Sequence, residues 1–168
     1  MATAPQLVSL DEYLQSSYSP DREYIDGFVV ERSLGQGKHA YTQGRLVRKL
    51  GDLLDPKKLM AIPELRVLVA ARRVRIPDVC VVSELQEVIT TPPRLCVEVL
   101  SPDDRWNRVN ERIRDYQAIG VECIWIIDPY SRRAWIFAED HPPQELHDGN
   151  LTAQRLGIEV PLAEVLPD

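Results

Sequence analysis

Lysine is scarce in this 168-residue chain: Lys38, Lys49, Lys57 and Lys58 stand against sixteen arginines among its twenty basic residues. Guanidinium binds phosphate well but stays protonated and cannot act as a base. Cysteine is scarce too. Cys80, Cys96 and Cys123 all fall in apolar, strand-like runs, which excludes a disulfide framework or a zinc site and reads as buried thiols in a reducing compartment. No apolar run approaches the length that spans a bilayer. The first residues, Met1 to Val8, lack the basic-then-apolar pattern of a leader. A soluble, cytoplasmic protein without a membrane partner is therefore expected. Net positive charge is also missing: the balance is −6, unlike a constitutive nucleic-acid coating protein. That leaves room for an enzyme with a local basic rim. Arginines cluster at Arg66, Arg72, Arg73 and Arg75 and again at Arg105, Arg108, Arg112 and Arg114, where solvated surface charge is the ordinary reading.

No repeat, low-complexity stretch or linker divides the chain, so residues 1–168 are read as a single domain. Ser9-Leu10-Asp11-Glu12 has the form of a capping box opening a short helix. Asp26-Gly27 suggests a tight turn between two short strands, the second running from Phe28 to Arg32. Leu46, Val47, Leu50, Leu53 and Leu54 recur at helical spacing within Lys38 to Leu54. Strands are expected near Leu65–Ala70, Asp78–Val82 and Leu95–Leu100, with Val88 to Pro93 as a connecting segment. A second helix, Trp106 to Ile119, ends at Gly120. Glu122 to Ile127 and Ala134 to Phe137 read as a hairpin, and the tail holds a further strand and a short segment, Pro161 to Leu166. The pattern gives an α+β or α/β domain with a mixed central sheet flanked by helices.

Two of the apolar runs each carry one carboxylate: Asp78 within Arg75 to Val82, and Glu98 within Arg94 to Ser101. A charge in such a run is costly unless it is paired, hydrogen-bonded or bound to a metal. Cys96, Glu98 and Leu100 share one face, and Asp78 lies beside Glu98 if the two strands pair. Hard oxygen ligands of this kind suit magnesium or manganese, which offsets charge on a phosphate and activates water. The alternative is structural: Asp78 caps a turn and Glu98 forms a buried pair with an arginine.

Glu23-x-x-Asp26-Gly27, His39, Pro77-Asp78-Val79, Val97-Glu98-Val99-Leu100-Ser101-Pro102, Tyr116, Gly120-Val121-Glu122 and Trp125-x-x-Asp128-Pro129 occur in this order. Together they resemble the Uma-two family of restriction-endonuclease-like proteins, over about Leu10 to Leu162. That resemblance implies the PD-(D/E)XK nuclease superfamily, with two acids binding magnesium and a lysine positioning and activating water. Asp78 and Glu98 would be those acids. The lysine two residues after the second acid would fall at Leu100. In this family it is displaced onto the next helix in a pattern resembling Asp-x-x-x-Lys-x-x-x-Tyr, which here reads Arg108-x-x-x-Arg112-x-x-x-Tyr116. The spacing keeps all three on one helical face.

The resemblance also places Glu23 and His39 around the pocket. Their ordinary readings are a surface carboxylate beside a turn and a first-turn helix residue. Tyr116 reads as packing between helix and sheet, and Lys38 as the one lysine near the suspected site. Trp125 and Trp135 read as core residues. The expected function is magnesium- or manganese-dependent hydrolysis of DNA phosphodiesters, held down by arginine at the lysine position, in a homodimer that addresses both strands. A catalytically silent nucleic-acid-binding or protein-interaction module is the main alternative, and a small-phosphoester hydrolase the third.

Overall fold

The computed structural model describes residues 7–33, 35–55 and 58–168; residues 1–6, where most of the leader reading falls, and Lys57 lie outside the described residues. Ser9 caps the first helix as its sequence suggests, its side-chain oxygen accepting from Glu12 N at 3.2 Å ahead of α1 (Leu10–Gln15). β1 (Glu23–Ile25) and β2 (Phe28–Val30) follow, joined by Asp26 and Gly27, both at positive φ. That is the turn Asp-Gly favours between twisted strands. α2 (Gly37–Leu53) buries Leu46 and Leu50, whereas Leu53 turns to solvent.

β3 (Met60–Pro63), β4 (Arg66–Ala70), β5 (Arg73–Arg75) and β6 (Val79–Val82) form what is in effect one long bent hairpin. β3 pairs with β6 and β4 with β5. The pairs belong to different sheets. The run Arg75 to Val82 is therefore not a single strand: it breaks at Ile76-Pro77-Asp78, where the chain passes from one sheet to the other. Pro77 forces that break, because it has no N–H to give a ladder. β7 (Val88–Ile89) corrects the connecting-segment expectation, since it adds a short parallel strand beside β4.

β8 (Leu95–Val99) leads into α3 (Trp106–Ala118), then β9 (Cys123–Asp128) and β10 (Arg133–Ala138). β11 (His141–Leu146) was not legible as a strand, since Pro142 and Pro143 interrupt it. It sits at a sheet edge, where proline is tolerated. β12 (Asn150–Ala153), β13 (Ile158–Pro161) and α4 (Leu162–Val165) complete the chain.

The mixed central sheet has the order β11-β10-β9-β8-β6-β3, antiparallel at β6–β8 and parallel at β8–β9. A second sheet, β2-β1-β5-β4-β7, stands beside it. Alternation along β8 divides the core. Leu95, Val97 and Val99 pack with Leu46 and Leu50 of α2, while Cys96 and Leu100 pack with Val109, Ile113 and Tyr116 of α3. Trp125 is fully buried, whereas Trp135 is half-buried and meets Trp106 edge-on at 4.6 Å. All three cysteines are free and buried, and burial pushes the Cys80 and Cys123 thiols up to about 12. No helix among the described residues is long and apolar enough to cross a membrane.

Candidate active site

The bend between the sheets and the end of β8 bring the two carboxylates together. Val79 is opposite Val97 in the β6–β8 ladder, so Asp78 and Glu98 fall at the next, adjoining position. Asp78 Oδ2 accepts from Val99 N at 2.7 Å, which ties the bend to β8. Its Oδ1 accepts from Arg32 Nη2 at 3.0 Å and lies 3.4 Å from His39 Nε2. Gln43 Nε2 donates to the Asp78 carbonyl at 2.9 Å, fixing the backbone from α2.

Glu98 is buried on the α3 side. Tyr116 Oη donates to its Oε1 at 2.5 Å, and Arg112 Nη1 lies 3.6 Å from Oε2. Burial pushes the Glu98 carboxyl up to about 7; Arg112 opposes this, Asp78 and Glu23 add to it, and the Tyr116 hydrogen bond opposes it. For His39, burial disfavours the charge, but Asp78 and a hydrogen bond to the Val99 backbone outweigh burial and raise its pKa. In this arrangement the ring's Nε2–H faces Asp78 as a donor. Gly35 makes room for this ring: a β-carbon there would lie 2.8 Å from His39 Cδ2.

Arg112 is held by three carboxylates, each at arm's length: Asp104 Oδ1 at 3.5 Å, Glu98 Oε2 at 3.6 Å and Glu23 Oε1 at 3.8 Å. Well-formed charge-assisted bonds are nearer about 2.8 Å. The guanidinium is thus retained by charge but not locked. Glu23 is no surface carboxylate. It is 3% exposed, pairs with Arg75 Nη1 at 2.9 Å and accepts from Ile76 N at 3.3 Å. Tyr116 does pack between helix and sheet, but it also restrains the second acid. Arg108 lies one turn before Arg112, exposed and without a side-chain partner among the described residues. Lys38 does not approach the carboxylates; its Nζ lies 5.9 Å from the Tyr130 ring centroid.

Sequence reasoning missed Arg32 and Asp104. Asp104 had a signal, since Ser101-Pro102-Asp103-Asp104 is a turn in which its Oδ2 accepts from Ser101 N at 2.7 Å. Arg32 had none, because it reaches Asp78 from 46 residues away.

Do these residues suit a divalent cation? Among the described residues no three His, Cys, Asp or Glu side chains converge as a ready-made cage. Magnesium needs none, since it commonly takes one or two carboxylates and keeps several waters. Asp78 and Glu98 are hard oxygen donors side by side, and Glu98 Oε2 accepts no hydrogen bond among the described residues. Burial is the main reason the Glu98 pKa is raised, and Asp78 and Glu23 add to it against the pull of Arg112. The pair therefore fits, with Arg112 as competitor: the cavity between Arg32, His39, Asp78, Glu98 and Arg112 is about 10 Å³, the space of one water.

Glu98 and His39 both contribute to the pH response of the metal-free protein. The folded pKa of each is raised, so the folded state binds more protons than the unfolded state. Their contribution to stability is complete below the unfolded pKa values and is lost as pH rises, for Glu98 between about 4.5 and about 7. Melting in EDTA across this range should show the parent losing stability relative to Glu98→Gln. A flat difference between the two would remove the buried-carboxylate account.

A family model described as "Putative restriction endonuclease" (Uma2) matches residues 10–163. Among solved structures, the chain is similar to a crystal structure described as a "putative nuclease belonging to DUF820" from Anabaena variabilis ATCC 29413. That match has 22% identity and a TM-score of 0.81, covering 94% of this chain and 97% of the other, and it shows a shared fold. No curated protein matches significantly. The family model spans nearly the whole chain, Asp78, Glu98, α3 and every strand included, and the chain belongs to the Uma2 restriction-endonuclease family.

Proposed function

We propose that this chain hydrolyses DNA phosphodiester bonds with magnesium or manganese held by Asp78 and Glu98, at a rate limited by arginine at position 112. The observation that carries this reading is the adjoining carboxylate pair faced by a guanidinium that no carboxylate locks. A divalent cation held there supplies charge that offsets the phosphate and lowers the pKa of water. The protein does the rest. Arg32 and Val99 N hold the Asp78 carboxylate in place and aimed. Tyr116 orients Glu98, which must lose its proton to serve as a ligand. Arg112 turns from its three carboxylates to fork onto a phosphate oxygen as charge builds there. It cannot take a proton from water. Two copies would address the two strands, a point that sedimentation of the free protein decides. The three buried thiols suit a reducing cytoplasm.

Nicking of supercoiled plasmid tests the reading. Parent protein with magnesium or manganese should convert plasmid to open circles slowly, and Asp78→Ala should cut the rate by at least about a hundredfold. Salt-dependent DNA binding without cleavage, in parent and Arg112→Lys alike, would favour the silent binding module instead.

A further inference from the structure

A cavity of about 290 Å³ is lined by Arg112 and by residues that the chemistry above does not use, Phe28, Arg108 and Glu111 among them. Arg112 lines both this cavity and the small one at the carboxylates, so its side chain stands between the two. One wall is apolar: Ile25, Phe28 and Val30 of the β1–β2 hairpin. Ile25 and Phe28 are cross-strand partners beside the tight turn, and Phe28 is 40% exposed on an edge strand. The exposed Phe28 ring leaves a flat apolar face open to a planar partner at this cavity.

The opposite wall is α3, with Arg108, Glu111 and Arg112. Neither Arg108 nor Glu111 has a side-chain partner among the described residues, although each is charged and they stand three residues apart. Glu31, also on the rim, is already paired with Arg22 at 2.8 Å. The cavity thus offers a flat apolar face, one free cation and one free carboxylate, next to the place where a phosphate is expected.

We infer that this cavity receives one unstacked nucleobase of the substrate strand, the base next to the phosphate under attack. Phe28 stacks on its face, Arg108 contacts the next phosphate along the strand, and Glu111 accepts from an exocyclic amino group. The volume stands at the low end of small-molecule sites, so it admits a single base and not a base pair. A duplex must give up a base to use it, whereas a single strand need not. A carboxylate acceptor favours cytosine, whose amino group donates, over thymine, whose corresponding atom is an oxygen. This assignment rests on the proposed hydrolysis for its register but not for its binding.

The test is fluorescence anisotropy with labelled oligo-dC and oligo-dT dodecamers and a duplex dodecamer, in EDTA so that cleavage does not intervene. Parent protein should bind oligo-dC several-fold more tightly than oligo-dT or duplex. Phe28→Ala should weaken oligo-dC binding about tenfold, as loss of one base–aromatic stack does. Phe28→Tyr should restore it, which excludes general unfolding. Glu111→Gln should shrink the dC-over-dT preference. Equal binding of strand and duplex, or Phe28→Ala indistinguishable from parent, overturns the pocket. Asp78-dependent nicking with unaltered Phe28→Ala binding would sink this inference and leave hydrolysis standing. Phe28-dependent strand binding without nicking would do the reverse.

Discussion

Exchanging Arg112 for lysine should raise magnesium-dependent plasmid nicking by about tenfold to a hundredfold. A positioned base contributes roughly a hundredfold or more when it takes a proton in the transition state, and guanidinium contributes none of this at any accessible pH. Lysine keeps the positive charge and can give up a proton when buried. Burial at this position is nearly complete, the Arg112 side chain being 12% exposed. Asp104, Glu98 and Glu23, within 3.8 Å of Arg112, work against that loss by holding a cation protonated. Their pull weakens once Asp78 and Glu98 share the charge of a divalent cation, so the gain should grow with magnesium concentration. Lysine also lacks the fork that spans several carboxylates, so part of the base contribution is offset by poorer orientation. Initial nicking rates at several magnesium concentrations check the prediction. Asp78→Ala on top of Arg112→Lys should abolish the gain. An Arg112→Lys protein that cleaves no faster than an active parent would show that Arg112 does not limit turnover.

Local pattern carried much of this fold into view. Leu95, Val97 and Val99 against Cys96, Glu98 and Leu100 divide into the two faces that β8 shows, because strand alternation is a property of the backbone. Ser9, Asp26-Gly27 and Gly120 mark their turns and caps for equally local reasons. Elements too short or too proline-rich to show a period were not legible, among them β7 and β11. Nor was the passage from one sheet to another, since Arg75 to Val82 reads as one apolar strand-like run and only pairing partners reveal the switch at Pro77. At the site, Asp78 and Glu98 were visible as charges out of place. The restraint on Asp78 was not, since Arg32 meets it across 46 residues. An arginine on a polar helix face looks the same in sequence whether it meets water or three carboxylates.

Replacing Glu23 by alanine should cost about 3 kcal/mol of stability, the lower end of what breaking a buried ion pair costs, and lower the melting temperature by roughly 6–12 °C in a chain of this size. Glu23 begins an alternating chain of charge that runs to the surface. Its Oε2 meets Arg75 Nη1 at 2.9 Å, Arg75 Nε meets Asp115 Oδ2 at 2.7 Å, Asp115 Oδ1 meets Arg73 Nη1 at 2.9 Å, and Arg73 Nη2 meets Asp26 Oδ2 at 2.6 Å. Truncation leaves Arg75, 5% exposed, with half its compensation and Ile76 N without its acceptor. Asp115 still holds Arg75 from the other side, which keeps the loss from reaching the upper end of the range. Glu23→Gln should cost less, because an amide oxygen still accepts from Ile76 N. Removing both charges, as Glu23→Gln with Arg75→Met, should recover part of the loss, and a double-mutant cycle of chemical denaturation measures the coupling. Additive single effects would mean that the Glu23–Arg75 pair contributes nothing of its own. The same variant has a second readout at the site. Glu23 is among the charges that raise the Glu98 pKa, so its removal should let Glu98 ionise at lower pH. Magnesium binding should then persist to lower pH in Glu23→Gln than in the parent. A residue kept only for its pair with Arg75 would change melting and leave that pH profile where it was.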